Sequence, residues 1–348
     1  MTANYAIKAL GGAAKSYAIP FLSRCKRAAV PAVITSSPES AHSELPSAQV
    51  LGSMQALLGL KGALDLDAIA ICSPPDDHVV SAIEAMKAGL AVMIEKPAAA
   101  SREDALTLSI QARTDKRFQV HQSVRFYPAI WTAREVIGEG RLGQIQSIEG
   151  KLGHSGPKNL WLRDPKVPGS GIILDLLIHL TDTVRFLTDD DFIQMKLEKL
   201  EYQDDDESKV EDRVKVSFVM SEETDGELEA SWREEEGENP GYFIITGRKG
   251  TLHITFRPYG EQKVEFEPID AALEAGGKVI IELQKPPYPD AYAYHAACLL
   301  GEETIDMGNS VADNLNSLLP LFGLTETGLW TIDHELATLK AVLAGPKN

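Results

Sequence analysis

Two short stretches carry most of the chemistry in this chain: Glu95-Lys96-Pro97 and Asp175-Leu176-Leu177-Ile178-His179. Lys96 follows the apolar run Ala91–Ile94 and precedes a proline, so its backbone is held where a buried strand ends. A lysine there can bridge cofactor and substrate hydroxyls and relay a proton; the plainer reading is a surface lysine in a turn. Asp175 and His179 stand four residues apart, on one face of a helix. Lysine, histidine and aspartate together are a set able to move the proton that accompanies a hydride. The residues around Asp175, from Ile172 to Leu180, are nearly all apolar, which marks a buried helix. A carboxylate and an imidazole on such a helix need partners or a cleft. A satisfied structural pair is one reading. A metal site with Asp182 is another, but the further ligand cluster a metal needs is missing, so no metal is expected.

The elements that must position these groups fall into two rhythms. From residue 4 to about 120, short apolar runs alternate with helical stretches. Asn4–Leu10, Ala28–Thr35, Ala68–Cys72 and Ala91–Ile94 read as strands, and Gly11–Arg27, Val79–Ala88 and a helix opened by the box Ser101–Asp104 lie between them. This order predicts a doubly wound parallel sheet with helices on both faces. Pro31 is awkward in the second strand, because proline breaks a sheet ladder. After about residue 120 the period changes. Pro128 opens a helix ended by Gly138 and Gly140, and beyond residue 190 apolar and polar residues alternate. Val214, Val216, Phe218 and Met220, then Leu228, Ala230 and Trp232, then Leu252, Ile254 and Phe256 make half-buried antiparallel strands. The segment from Asp290 reads as helices interrupted by Pro320. The expected division is residues 1–120, a Rossmann dinucleotide-binding domain, and residues 121–348, an α/β domain with a large open, mostly antiparallel sheet.

Cofactor-binding candidates cluster where strands of the first domain end. A Gly-x-Gly-x-x-Gly turn lets a backbone approach a pyrophosphate at a helix N-terminus. Here the register reads Ala9-Leu10-Gly11-Gly12-Ala13-Ala14, so Gly11 keeps the middle glycine while Ala9 and Ala14 replace the outer two. A purely structural turn is an equal reading. Lys8 before it is an edge or snorkelling lysine sooner than a phosphate ligand. Thr35-Ser36-Ser37 ends the second strand, where a ribose-binding acid would normally stand. Its hydroxyls either accept a 2′-phosphate or form a polar turn. Ser73 and Pro74 end a parallel strand, and His78 near the following helix start is a structural hydrogen-bonder sooner than a catalyst.

Composition narrows the function classes. The chain has 348 residues, 44% hydrophobic and 24% charged, and a net charge of −17. That acidity repels nucleic acid and anionic membranes. The runs Asp189–Asp191, Asp204–Glu207 and Glu234–Glu236 read as solvated loop tips, with no histidine or cysteine beside them. Three scattered cysteines and the lack of a span-length apolar run or a signal peptide point to a cytoplasmic location.

Taken together, Glu95-Lys96-Pro97, Val124-Arg125-Phe126-x-Pro128, Gly140-Arg141-Leu142-Gly143-Gln144-Ile145, Gly169-Ser170-Gly171 with Asp175 and His179, and Gly247-Arg248-Lys249-Gly250-Thr251-Leu252 resemble the glucose–fructose oxidoreductase / inositol dehydrogenase / rhizopine-catabolism (Gfo/Idh/MocA) family. The resemblance runs in order from residue 1 to about 256. It implies a Rossmann domain followed by an α/β domain. It also implies NAD(P)-dependent oxidation or reduction of a sugar, cyclitol or related polyol. Lys96, Asp175 and His179 match the family's catalytic positions. The expected cofactor site comprises Gly11, Gly12, Ala13, Ala14, Thr35, Ser36, Ser37, Ser73, Pro74, His78, Glu95 and Lys96, with NADP slightly favoured over NAD because Thr35 replaces the acid. Arg125, Trp161 and Arg163 are expected in the sugar pocket beside Lys96, Asp175 and His179. Some of the sheet's apolar face should pack on the domain's own helices; any exposed remainder favours a homodimer or homotetramer, and the resemblance points the same way. A non-catalytic sensor of a dinucleotide or sugar, and a lyase or isomerase using its cofactor transiently, stay open as alternatives.

Overall fold

The computed structural model describes residues 1–112, 115–205, 209–235, 237–238, 240–257, 260–269 and 277–336. Asp206, Glu207 and Glu236 of the acidic runs lie outside them. The chain divides into two compact units, Met1–Phe126 with Pro287–Leu315, and Tyr127–Pro286 with the chain from Asn316. The change of period expected near 120 therefore falls at Phe126. The later segment was expected to stay wholly in the second domain, but residues 287–315 return to the first unit.

In the first unit, β1 (Ala3–Lys8), β2 (Ala28–Ile34), β3 (Gln49–Leu51), β4 (Ala68–Ile71), β5 (Ala91–Glu95) and β6 (Phe118–His121) form one sheet in the order β3-β2-β1-β4-β5-β6. Every pairing is parallel. β4, β5 and β6 are buried at every residue, because helices cover both faces. Those helices are α1 (Ile19–Arg24), α2 (Pro38–Glu44), α3 (Met54–Gly59), α4 (Pro75–Lys87) and α5 (Arg102–Ala112). β3, α2 and α3 are short and were not legible in the sequence. Pro31 is accommodated by a register shift: Asn4 pairs Ala29 and Ala6 pairs Ala32, so β2 bulges by one residue there. Ser101 caps α5 as expected, its Oγ accepting the Asp104 N–H at 3.2 Å.

The second unit contains α6 (Pro128–Gly138), a π-helical turn Ile173–Leu177 that continues as α7 (Ile178–Thr188), and a nine-stranded sheet. Its strands are β7 (Ile145–Gly153), β8 (Phe192–Tyr202), β9 (Glu211–Met220), β10 (Asp225–Ser231), β11 (Gly241–Gly247), β12 (Gly250–Phe256), β13 (Gln262–Pro268), β14 (Val279–Ile281) and β15 (Leu329–Thr331), in the order β14-β13-β12-β11-β7-β10-β9-β8-β15. All neighbours are antiparallel except β7 and β10.

Registration separates the two faces. Val216, Leu228, Gly150, Phe243, Ile254 and Val264 lie in one cross-sheet row, and Lys215, Glu229, Lys151, Tyr242, Thr255 and Lys263 in the next. The apolar row is buried beneath α6, α7 and the π turn. The polar row is tied by ion pairs such as Lys151–Glu229 at 3.3 Å and Lys215–Glu227 at 2.8 Å. The unit's own helices thus cover this apolar row, while Ile193, Val279, Ile280 and Leu329 on β8, β14 and β15 stay exposed.

The chain then forms α8 (Ala291–Leu300), packed on α1, β1, β5 and β6, and α9 (Val311–Thr327). Pro320 lies inside α9 and does not end it. Nearby, the Thr181 hydroxyl donates to the Ser317 carbonyl at 3.1 Å.

Candidate functional site

The first unit gathers its candidates at the carboxyl ends of β1, β2, β4 and β5, the edge of a parallel sheet where ligands bind. At the end of β1, Ala9 adopts φ +70, the left-handed conformation that suits glycine. Its N–H still donates to the Ile34 carbonyl at 2.9 Å. The turn expected of a glycine therefore survives with alanine in its place. Gly12 and Ala13 open the helix, and a Cβ built on Gly11 would meet nothing within 4 Å. Lys15 donates back to Gly11, so Gly12, Ala13 and Ala14 supply the free-ended first turn.

Lys8 differs from expectation. It sits on a central strand, and its Nζ donates to Asp77 Oδ2 at 2.6 Å and to the Ser81 hydroxyl. Burial works to raise the Asp77 carboxyl, but the Lys8 ammonium holds it below the ordinary range. At the end of β2, Thr35 Oγ1 accepts the Ser37 N–H at 3.0 Å, while Ser36 and Ser37 are exposed. Ser73 and Pro74 link β4 to α4. His78 is buried, with Nδ1 2.8 Å from the Pro97 carbonyl and Nε2 2.7 Å from the Ser73 carbonyl. Burial lowers its pKa. The neutral imidazole has one N–H, so it donates to one of these carbonyls and only packs against the other, between the segment that follows Lys96 and the end of β4.

Glu95 points into a buried cluster. Its Oε1 is 2.9 Å from His121 Nδ1 and 3.5 Å from the Tyr292 hydroxyl. The rings of Tyr17 and Tyr292 stand 5.2 Å from His121, and Phe21 6.1 Å. Lys96 leaves the sheet next to it, half-buried. Arg125 was expected at a sugar pocket. It is committed elsewhere within this unit: its guanidinium donates to the Met307 and Gly308 carbonyls, both at 2.8 Å, and to Asp313 at 2.7 Å. A buried guanidinium needs such acceptors, and this loop supplies them.

The second unit brings together Asp175, Trp232, His154 and Arg163. Asp175 lies on the π turn, buried, and Trp232 Nε1 donates to its Oδ2 at 3.1 Å. π turns inside helices often mark functional sites. His154 Nδ1 accepts the Gly156 N–H at 3.0 Å, which leaves the proton on Nε2, 3.9 Å from the same Asp175 oxygen. The Arg163 guanidinium lies 5.8 Å from the Trp232 ring centroid. Trp161 is on the same short helical turn as Arg163, half-buried. His179 follows on α7, half-buried among apolar neighbours. The sequence did not single out His154 or Trp232. Trp232 closed an alternating apolar row, and the only signal was an indole N–H that a buried tryptophan must satisfy.

Two sequence matches join this geometry. Residues 3–122 match "Oxidoreductase family, NAD-binding Rossmann fold", and residues 130–253 match "GFO/IDH/MocA C-terminal domain". The chain belongs to the Gfo/Idh/MocA oxidoreductase family. Among its relatives, inositol 2-dehydrogenase of Rhizobium meliloti is 29% identical over 136 residues, covering 37% of this chain and 38% of that protein. The 1,5-anhydro-D-fructose reductase of Ensifer adhaerens is 32% identical over 137 residues, covering 38% and 40%. The chain thus matches about two-fifths of the length of these curated relatives. The crystal structure of aldose-aldose oxidoreductase from Caulobacter crescentus, complexed with glycerol, shares the fold with a TM-score of 0.80. It is 19% identical and covers 95% of this chain and 100% of that one.

The residues present fit the dinucleotide this family's Rossmann fold binds. The left-handed turn at Ala9, the open space at Gly11 and the helix N-terminus beyond it suit a pyrophosphate.

Proposed function

We propose that the protein is an NAD(P)-dependent oxidoreductase acting on a hydroxyl or keto group of a sugar, cyclitol or related polyol. The observation that carries this reading is the buried Asp175 carboxylate, held by Trp232 and faced by His154, one turn before His179. A carboxylate and imidazoles on one apolar scaffold suit recognition of vicinal hydroxyls and exchange of a hydroxyl proton. The relatives named for inositol and anhydrofructose support the substrate class.

In this reading the cofactor, when bound, supplies the hydride chemistry at its nicotinamide. Backbone N–H groups of Gly11–Ala14 hold the pyrophosphate, and Thr35, Ser36 and Ser37 receive the adenosine ribose or its 2′-phosphate. With no carboxylate at Thr35, NADPH binds more tightly than NADH. Lys96 polarises the reacting oxygen, His179 takes or returns its proton, and Asp175 orients the substrate. His154 donates from Nε2 to a substrate oxygen beside Asp175. The Trp161 ring offers apolar surface to the sugar's C–H face, and Arg163 borders it. Assembly as a homodimer or homotetramer, and a cytoplasmic location, complete the proposal.

Fluorescence titration with NADH and NADPH, followed by turnover assays on a panel of sugars and cyclitols, tests the reading. Binding of either cofactor with turnover of a panel member supports it. Absence of cofactor binding favours a non-catalytic sensor instead. The altered phosphate loop was the argument for that alternative, and the left-handed turn retained at Ala9 weakens it.

A further inference from the structure

We propose that Glu211 is a positioning residue for the reaction above: its carboxyl clamps the turn at Gly171 and so sets the helix that presents Asp175 and His179. The inference rests on the proposed function only for its catalytic consequence. The clamp itself is geometric.

Glu211 begins β9, on an element distant in sequence from the helix. Gly171 has φ +90, and a Cβ there would stand 2.2 Å from Glu211 Oε1. The carboxyl therefore fills the place a side chain at 171 would take, which requires glycine at that point twice over. Two residues on, the Ile173 N–H donates to the Glu211 carboxyl. Ile173 opens the π turn, and its N-cap residue, Ile172, has no side-chain acceptor to offer. Glu211 supplies from the sheet the cap that the local sequence lacks. The same turn is held from its other side, where the Gly171 N–H donates to the Leu162 carbonyl at 3.0 Å. Asp175 follows Ile173 by two residues, so slack in the cap reaches it directly.

The clamp is sensitive to pH. Burial raises the Glu211 pKa from 4.5 to about 7, although a helix N-terminus favours the charged form. The adjacent Asp212 carboxylate adds to the rise and is itself paired with Arg233 at 2.9 Å. Tyr202 is its register partner across on β8, and Asp175 is the acidic group on the helix it caps. Below about pH 7 the neutral carboxyl stays buried and still accepts the Ile173 N–H. Above it the carboxyl is charged in a buried place beside Asp212, which works against the clamp.

The test compares wild type with Glu211→Gln and Glu211→Ala across pH. Glutamine keeps the acceptor and carries no charge, so its kcat matches wild type at low pH and lacks the wild type's alkaline decline near pH 7. Alanine removes the acceptor and lowers kcat by roughly tenfold to 10²-fold below pH 7, the gap to wild type narrowing above it, with cofactor KM unchanged. A second readout needs no activity. Tryptophan emission, assigned to Trp232 by its loss in Trp232→Phe, titrates near pH 7 in wild type and not in Glu211→Gln. If no sugar is turned over, the proposed function fails while the emission titration alone decides the clamp. Emission that titrates identically in wild type and Glu211→Gln, or wild-type kcat in Glu211→Ala below pH 7, overturns the proposal.

Discussion

Ala9→Gly should stabilise the protein, although replacing alanine by glycine normally does the reverse. Ala9 sits at φ +70, where an L-residue other than glycine is strained by about 1–2 kcal/mol. Glycine removes that strain and costs about 0.5–1 kcal/mol in extra unfolded-state freedom. The backbone bond from Ala9 to Ile34 is kept in the variant, so no hydrogen bond is lost. The two ranges differ by about 0–1.5 kcal/mol, centred on about 0.75 kcal/mol, which for a unit of this size raises Tm by about 2–3 °C. Ala9→Val works in the opposite direction, since a β-branched residue tolerates this conformation worst. Thermal and urea melts of the three proteins check both signs. A lower Tm for Ala9→Gly, or an unchanged Tm for Ala9→Val, would refute the assignment of the turn and the argument that it retains a nucleotide-binding shape.

The remaining predictions concern pH, cofactor choice and the Asp175 cluster. His295 is fully buried; its Nε2 faces the Arg117 carbonyl at 2.9 Å and must donate, so Nδ1 accepts from the Tyr5 hydroxyl at 2.9 Å. Burial depresses its pKa from 6.5 to about 4, so stability present above pH 6.5 is lost as pH falls through about 4. The loss reaches about 3 kcal/mol, and urea melts should show a shallower acid dependence in His295→Gln. Thr35→Asp should move the NADPH/NADH ratio of Kd values toward NADH by about 10–100-fold, through repulsion of the 2′-phosphate; an unmoved ratio would displace the ribose site from Thr35. Trp232→Phe removes the indole donor to Asp175 and should raise substrate KM more than cofactor KM, as separate saturation curves would reveal.

Much of the fold was legible because periodicity follows burial. β4 and β5 are buried on both faces and read as unbroken apolar runs, while β9 and β12 face water on one side and alternate. The short elements β3, α2 and α3 carry too few residues for any period to stand out. The return of residues 287–315 to the first unit was invisible, because chain order does not say which core a helix such as α8 will join. Among the proposed site residues, Lys96, Asp175 and His179 stood out in the sequence because they sit against apolar residues. Arg125 was placed at the sugar pocket by resemblance alone, and its contacts with Met307, Gly308 and Asp313, which tie down a loop, had no sign in the sequence. Glu211 gave no signal, since its partners are a glycine and a backbone N–H some forty residues away, and neither has a side chain to read.

In the proposed reaction Lys96 and His179 serve hydride transfer on a polyol. The most direct test is steady-state formation or consumption of NAD(P)H by wild type, Lys96→Ala and His179→Gln with the responding member of the sugar and cyclitol panel. Wild type should turn over, and kcat should fall about 10²–10⁴-fold in each variant, with cofactor Kd nearly unchanged and one limb of the pH–rate profile gone in His179→Gln. Near-normal turnover by Lys96→Ala, or an unaltered profile in His179→Gln, would contradict it.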